Sequence, residues 1–155
     1  MSSNMIRLGA DVHLGKLARR LRLLGFDTFY RNDTGKEELA NTCKTQNRIL
    51  LSRDKSFLLK PDLHSFQILH EDTEDQLKAV VSHFNLRAIA LPFTRCMRCN
   101  GTLMTVEKET VLDQLLPNTI EGYTEFWQCE HCSRLYWKGA HYERMQKWLE
   151  QFKTM

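Results

Sequence analysis

Four of the five cysteines fall into two C-x-x-C pairs, and this pattern constrains the fold more than any other feature of the chain. The pairs are Cys96 with Cys99 and Cys129 with Cys132. Two residues between sulfurs let one tight turn present both thiolates to the same ion, and two such turns complete a tetrahedral site. We therefore predict a structural zinc ion. Because four thiolates leave no open position for water, the pattern argues against a catalytic zinc.

The segments around the two pairs predict a zinc ribbon. Asn100-Gly101 follows the first pair and Ser133 follows the second, so each pair ends in turn residues. The 29 residues between the pairs exceed the usual spacing of about 15–20, so we expect an insertion at residues 108–123. His131 is interpreted as a turn residue rather than a ligand. The strand-like segments of the ribbon are residues 102–106, 125–128 and 134–137.

The residues before the first pair alternate between strand-like and helix-like hydrophobic patterns. Such alternation predicts an α/β fold with a parallel sheet flanked by helices. We expect a first domain over residues 5–91 and a zinc ribbon domain with a C-terminal helix over residues 92–155. Cys43 is expected to be a buried, apolar-like residue on a helix. The predicted strands are 6–10, 26–30, 49–52, 66–69 and 88–91, and the predicted helices are 14–24, 34–46 and 73–84, the last two beginning with capping boxes.

Acidic residues follow each of the first four predicted strands, where the working site of a parallel sheet lies. Asp11 and Asp54 directly end apolar strands, where an unpartnered charge is costly. Converging carboxylates suit magnesium or manganese, which activate water and stabilise the leaving oxygen of a phosphodiester. The remaining acids are equally explained as helix N-terminal residues. They are Asp33, Glu37 and Glu38 after the second strand, and Glu71, Asp72 and Asp75 after the fourth.

Charge and composition narrow the function classes further. The net charge of +3 lies entirely in residues 1–91, and the stretch from Lys16 to Arg22 holds four basic residues and no acid. Helical spacing places Lys16, Arg19 and Arg20 on one face, which suits a phosphate backbone or is simply a solvated surface. The ordinary composition excludes a collagen-like or wholly disordered chain. No apolar run reaches the roughly 18 residues of a membrane span, and residues 1–5 are polar, so we expect a cytoplasmic protein without a signal peptide.

Several familiar motifs are absent. The chain has no G-x-x-x-x-G-K-[ST] and no G-x-G-x-x-G, which disfavours the common nucleotide cradles. It also has no G-x-S-x-G, so nothing supports a Ser-His-Asp hydrolase.

Four stretches of the sequence resemble the Mut-seven C-terminal RNase domain family: residues 10–28, 48–54, 93–101 and 126–139. The resemblance implies a PIN-like nuclease domain fused to a zinc ribbon, and RNA cleavage. It also implies that Asp11 and Asp54 are metal-binding acids. A further acid is expected at the start of the helix after the second strand, but Lys36 stands there. Asp33, Glu37 or Glu38 would have to serve instead.

The sequence thus predicts a metal-dependent ribonuclease with a catalytic magnesium or manganese site, a structural zinc and RNA as its partner. Asp11 and Asp54 would hold the catalytic metal, and Asp33, Glu37 or Glu38, with Asp72 or Asp75, would complete its ligand shell. Lys16, Arg19, Arg20 and Arg53 would position the RNA backbone. Two alternatives remain: a non-catalytic RNA-binding or ribosome-associated adaptor, and a toxin held by an antitoxin. The ribbon aromatics either stack on bases or form its small core; they are Phe126, Trp127, Tyr136 and Trp137.

Overall fold

The computed structural model describes residues 5–154. The prediction that the chain has no signal peptide concerns residues 1–5, most of which lie outside the described residues. The chain divides into two compact units, one up to Asn100 and one from Gly101 onwards. The predicted domain division at residue 91 stays a prediction. Within residues 5–154, every helix is too short or too polar to cross a membrane.

The first unit contains a four-stranded parallel sheet in the order β2-β1-β3-β4. The two central strands, β1 and β3, pair directly, with Gly9 opposite Leu50 and Ala10 opposite Leu51. Both strands are buried apart from their first residues, which explains their nearly continuous apolar sequences. The strands are β1 (Arg7–Ala10), β2 (Asp27–Phe29), β3 (Ile49–Ser52) and β4 (Ser65–Gln67).

Helices follow three of these strands and confirm the predicted parallel α/β architecture. Leu17, Ala18 and Leu21 recur at helical spacing on the first helix and are fully buried. Cys43 is buried on the second helix, as predicted, and burial raises the pKa of its thiol to about 11. The helices are α1 (Gly15–Leu23), α2 (Lys36–Thr45) and α3 (Thr73–His83).

The predicted strand at residues 88–91 is wrong. The segment is a short 3-10 turn, Arg87–Ile89, and Leu91 is exposed. Its backbone bonds to α1 instead of to the sheet, because the Leu91 N–H donates to the carbonyl of Leu24 at 2.8 Å. The segment thus satisfies a carbonyl group at the end of a helix. A side chain at Gly25 would lie 2.3 Å from the Leu91 carbonyl oxygen, so this close approach requires glycine.

Neither predicted capping box forms. Helix α2 is preceded by Gly35 with no side-chain cap, and the buried hydroxyl of Thr34 has no hydrogen-bond partner within the described chain. Helix α3 is capped by Asp72, whose carboxylate accepts the N–H groups of Glu74 and Asp75 at 3.1 and 3.2 Å. Aspartate is a better N-cap than threonine, so the helix begins one residue earlier than the predicted box.

A polar cluster closes the edge of the sheet where the strands begin, which we call the amino edge. Asp27 is the first residue of β2, and its carboxylate accepts hydrogen bonds from Arg48 and from Asn100, both at 2.7 Å. Arg7 adds an ion pair at 3.5 Å. Asn100 also accepts the N–H of Thr28 at 2.9 Å. These bonds fasten the last residue of the first unit to the start of β2.

The second unit contains a three-stranded antiparallel sheet in the order β5-β6-β7, as the predicted zinc ribbon requires. The predicted insertion between β5 and β6 forms short 3-10 turns and one short helix. The C-terminal helix buries Met145, Leu149 and Phe152 at helical spacing. The elements are β5 (Leu103–Val106), α4 (Pro117–Gly122), β6 (Phe126–Cys129), β7 (Leu135–Tyr136) and α5 (Ala140–Lys153).

Candidate active site

Asp11 and Asp54 lie at the opposite edge of the parallel sheet, where the strands end, which we call the carboxyl edge. They follow β1 and β3, which are hydrogen-bonded neighbours. The Ser52 hydroxyl connects them. It accepts the N–H of Asp54 at 3.0 Å and lies within hydrogen-bond distance of the Asp11 carboxylate. Because an ionised carboxylate only accepts hydrogen bonds, the Ser52 hydroxyl is the donor in its contact with Asp11.

Backbone N–H groups fix one oxygen of each carboxylate. The Oδ1 atom of Asp11 accepts the N–H of His13 at 2.9 Å, and the Oδ1 atom of Asp54 accepts the N–H of Ser56 at 2.9 Å. Both contacts are local turns of the kind that aspartate forms with the residue two positions later. Each carboxylate therefore has a defined orientation, with its second oxygen facing Ser52 or Lys36.

Lys36, the first residue of α2, forms an ion pair with the Oδ2 atom of Asp54. This contact and the hydrogen bonds from Ser56 hold the pKa of Asp54 well below its usual range. Lys36, which stands where the third acid was expected, thus brings its positive charge into contact with the carboxylate of Asp54. The Lys36 side chain is 65% exposed, so its ammonium is accessible to solvent.

The structure does not bring a third predicted acid to Asp11 and Asp54. Over residues 5–154, the acids and histidines form no group of three with ligand atoms within 4.8 Å of one another. The other predicted acids contact basic side chains, cap a helix or are exposed. Glu37 pairs with Lys60 at 3.0 Å, Asp33 and Glu38 pair with Arg31 at 3.1 and 3.8 Å, Asp72 caps α3 and Asp75 is exposed.

The four predicted RNA-binding cations separate into two groups. Lys16 and Arg19 line a cavity of about 750 Å³ within the first unit. Arg20 pairs with Glu74 at 3.8 Å, and Arg53 pairs with Glu71 at 3.6 Å. Arg20 and Arg53 thus meet acids, whereas Lys16 and Arg19 face an open space.

Arg22 belongs to the same basic stretch but is buried, and its role was missed from the sequence. Its guanidinium donates to the carbonyl oxygens of Thr28 and Met97 at 3.0 Å and of Arg98 at 3.1 Å. A further bond reaches the carbonyl of Tyr30 at 3.4 Å. Arg22 therefore joins α1, β2 and the turn between Cys96 and Cys99. Its place on the leucine side of α1, next to Leu21, was the available sequence signal.

The four paired cysteines form the one group of potential metal ligands found in residues 5–154. Their sulfur atoms all lie within 4.8 Å of one another, and Cys96 and Cys129 are buried. This arrangement suits one ion with four sulfurs at about 2.3 Å from it. The predicted zinc ligands are therefore correctly brought together.

The two cysteine pairs have the same local structure. The N–H of Asn100 donates to the carbonyl of Cys96 at 2.9 Å, and that of Ser133 donates to the carbonyl of Cys129 at 3.0 Å. Both Asn100 and Ser133 have positive φ angles, 76° and 66°. The turn residues that follow each pair thus close a tight loop around its sulfurs. His131 is exposed in such a loop, in agreement with its prediction as a turn residue.

The ribbon aromatics divide between core and surface. Phe126 is buried, and its ring centroid lies 6.0 Å from that of Trp137. Trp127 and Tyr136 pair across β6 and β7 and are half-buried. Phe126 is therefore a core residue, and Trp127 and Tyr136 remain candidates for base stacking.

Comparison with known proteins identifies a relative and a family. The model of the Mut7-C RNAse domain family matches residues 6–149. A human protein named exonuclease mut-7 homolog is 34% identical over 117 residues, which cover 71% of this chain and 13% of the human protein. The chain therefore spans a small part of that relative. No solved structure is significantly similar to the present chain.

Proposed function

Because the chain belongs to the Mut7-C RNAse domain family, we propose that it is an endoribonuclease with its active site at Asp11, Ser52 and Asp54. The observation that carries the proposal is that the Ser52 hydroxyl, at the carboxyl edge of a parallel sheet, bonds both to the carboxylate of Asp11 and to the backbone N–H of Asp54. Working sites of open parallel sheets lie at this edge. An RNA strand would bind along it, with the scissile phosphate at Asp11 and Asp54.

The residues at this edge fit a magnesium or manganese ion. Magnesium is commonly held by one or two carboxylates, with substrate phosphates and waters completing its shell, and Asp11 and Asp54 supply two. The low pKa of Asp54 keeps this carboxylate ionised and ready to bind a cation. A bound divalent ion would supply a Lewis acid next to the phosphodiester.

The chain's own residues would then act as follows. Ser52 orients Asp11 through its hydroxyl and Asp54 through the backbone N–H that the hydroxyl accepts. Lys36 neutralises Asp54 before substrate arrives. Asp54 would hold the divalent ion when one is bound, and the exposed ammonium of Lys36 would then be free to donate to a phosphate oxygen. Lys36 thereby competes with the metal in the resting protein and supports the substrate in the complex.

The zinc ion that we propose for the four cysteines has a structural role. Its binding energy is folding energy for the ribbon, so removal of one ligand should unfold the second unit. Protein purified without chelator should contain one zinc ion per chain, and the Cys129→Ser variant should contain none. Metal analysis that finds no zinc in the wild type would refute this assignment.

The decisive test of the enzyme is a cleavage assay on linear and circular RNAs with and without manganese. Wild type should cut both RNAs, because an endonuclease needs no free end. Asp11→Asn and Asp54→Asn, purified identically, should remain folded and lose cleavage. Equal cleavage by wild type and both variants would place the activity elsewhere or in a contaminant.

One observation favours a second function, that of a non-catalytic RNA-binding adaptor. Within the described chain no three acids form a group that could hold a metal ion, and Lys36 already neutralises Asp54. An adaptor would bind RNA without cleaving it at any manganese concentration. Binding that persists in the Asp11→Asn and Asp54→Asn variants, with no cleavage by wild type, would select this function.

A further inference from the structure

The cavity in the first unit begins two residues after Asp11. Its lining begins with His13, whose N–H bonds to the Asp11 carboxylate, and continues along the first two turns of α1. The loop after β2 and the start of α3 form its other walls. Its volume of about 750 Å³ is within the range of small-molecule sites. It is therefore large enough for a nucleotide and adjacent to the proposed point of cleavage.

The charges around this cavity are strongly one-sided. Lys16, Arg19, Arg31 and Arg98 line it together with two acids, Asp33 and Glu71. Asp33 is bonded to Arg31 at 3.1 Å, and Glu71 pairs at 3.6 Å with Arg53, which is not in the lining. Within residues 5–154, no carboxylate lies within 4.0 Å of the charged nitrogens of Lys16, Arg19 or Arg98. Lys16, Arg19 and Arg98 thus add positive charge to a space whose two acids are each already paired with an arginine, an arrangement that favours an anionic ligand.

Other lining groups suit the rest of a nucleotide. Tyr30 supplies an aromatic wall, held in place because its hydroxyl donates to the carbonyl of Val12 at 3.0 Å. Gly15 leaves room for this ring, since a side chain there would meet the Tyr30 hydroxyl at 2.8 Å. Asn32 also lines the cavity, as does Gln76, whose amide nitrogen donates to the carbonyls of His70 and Glu71 at 2.9 and 3.4 Å. Aromatic rings and amides recognise bases, whereas cations recognise phosphates.

Arg98 reaches this cavity from the turn between Cys96 and Cys99. Arg22 fixes that turn by donating to the carbonyls of Met97 and Arg98. The first cysteine pair thus has a role in the first unit besides metal binding. It presents a cation to the same space as α1.

From these observations we propose that the cavity is a binding site for one phosphate-bearing nucleotide of the RNA, with Lys16, Arg19 and Arg98 as its phosphate contacts. The proposal rests on the ribonuclease function proposed above and adds a subsite outside the acidic pair. The phosphate is either the 5′-terminal monoester of an RNA or an internal diester. The shared chemistry is an oxyanion held by lysine and arginine.

The test measures binding of 3′-fluorescein-labelled pentaribonucleotides, with a 5′-phosphate or a 5′-hydroxyl, by fluorescence anisotropy in the Asp11→Asn background. Arg19→Gln with Arg98→Gln should weaken binding at least tenfold at low salt. It should also reduce the slope of log affinity against log salt by about 1.4, since each phosphate contact contributes about 0.7 for single strands. Tighter binding of the 5′-phosphate form assigns the cavity to a chain end, and equal binding assigns it to an internal diester.

Two variants make the test specific. Lys44→Gln removes one exposed charge at the end of α2, on the side of the amino edge, and should leave affinity unchanged. Lys16→Gln changes the cavity without touching the cysteine turn, so it should weaken binding even if Arg98→Gln disturbs zinc content. Unchanged affinity in the cavity variants, or an equal loss in Lys44→Gln, overturns the proposal.

Failure of the two proposals would look different. If the ribonuclease function fails, wild type does not cleave although cavity-dependent binding persists. If the cavity proposal fails, wild type cleaves with the same KM as a Lys16→Gln, Arg19→Gln variant.

Discussion

The two edges of the parallel sheet both hold aspartates, yet these aspartates are stabilised in opposite ways. At the amino edge, Asp27 is 19% exposed and is held by Arg48, Asn100 and Arg7. At the carboxyl edge, Asp54 is 32% exposed and its Oδ2 atom meets the ammonium of Lys36, itself 65% exposed. The buried guanidinium of Arg48 makes Asp27 part of the scaffold. The exposed ammonium of Lys36 leaves Asp54 accessible to a metal ion.

The pKa values of the two carboxyls are both lowered, but for different reasons. Burial alone would raise the pKa of Asp27, and hydrogen bonds from Asn100 and Arg48 overcome that effect. The pKa of Asp54 is lowered first by Lys36 and then by Ser56, with little opposition from burial. Shifts in the same direction therefore arise from a structural network at one edge and mainly from an exposed lysine at the other.

The largest expected effect is on cleavage. Asp54→Asn and Asp11→Asn should each lower the rate by about 1,000-fold, because they remove charge from the metal-binding pair, a loss at the upper end of that seen for a single electrostatic contact. Asp27→Asn should cleave at nearly the wild-type rate per folded molecule. Rates measured with manganese in excess check this contrast. A loss of cleavage in Asp27→Asn equal to that in Asp54→Asn would abolish the distinction between the two edges.

The second prediction concerns stability. Asp27→Ala leaves Arg48, which is 7% exposed, without its ion pair, so we expect a loss of about 3 kcal/mol in the free energy of unfolding. Asp54→Ala should change that free energy far less, because its partner is hydrated. Urea denaturation followed by far-ultraviolet circular dichroism measures both values. Equal losses would show that Lys36 and Asp54 form a structural pair.

The third prediction concerns metal affinity. Lys36→Asp should raise the affinity for manganese about tenfold, because it removes a competing charge and adds a ligand. Lys36→Gln should give a smaller gain, since it only removes the charge. Lys60→Gln is the matched control, because Lys60 pairs with Glu37 and not with Asp54. Manganese titration followed by electron paramagnetic resonance reads binding directly. Weaker binding in Lys36→Asp would mean that the ammonium does not occupy the place of a cation.

The smallest effect is on pH dependence. The pKa of Asp27 is lower in the folded than in the unfolded protein, so its contribution to stability is full above the unfolded value of about 3.9. That contribution is lost as pH falls through the folded pKa. The stability difference between wild type and Asp27→Asn should therefore shrink below about pH 4. For Asp54 the sign is the same, but 0.5 M salt should suppress the effect, because its partner is exposed. Thermal melts at several pH values and two salt concentrations test both statements.

Strand-end reasoning predicted the placement of Asp11 and Asp54, and cysteine spacing predicted the sulfur cluster. Both succeed because they depend on local rules: a parallel sheet aligns its strand ends, and a C-x-x-C turn aligns its sulfurs. The role of Lys36 could not be read from the sequence, since pairing of its ammonium with Asp54 depends on how α2 meets the end of β3. The network of Arg48, Asp27 and Asn100 could not be predicted from the sequence either, because its members are distant in the chain.

The errors in the predicted fold also have physical causes. Residues 88–91 have the apolar pattern of a strand, but the sheet offers them no partner and their N–H groups bond to the end of α1. Asp72 competes successfully with Thr73 for the start of α3. The aliphatic part of Arg22 suits the leucine side of α1, and the carbonyls that receive its guanidinium could not be identified before the fold was known.

The bonds of Arg22 set an order of events during synthesis. The strands of the parallel sheet all leave the ribosome before the first cysteine pair, so the sheet can assemble early. The Nη1 atom of Arg22, however, finds its acceptors only when Met97 and Arg98 emerge. Until then the Nη1 atom lacks both of these acceptors. In a nascent chain that ends before this turn, the strands of the parallel sheet can form all their mutual hydrogen bonds. The guanidinium of Arg22 still lacks two of its acceptors.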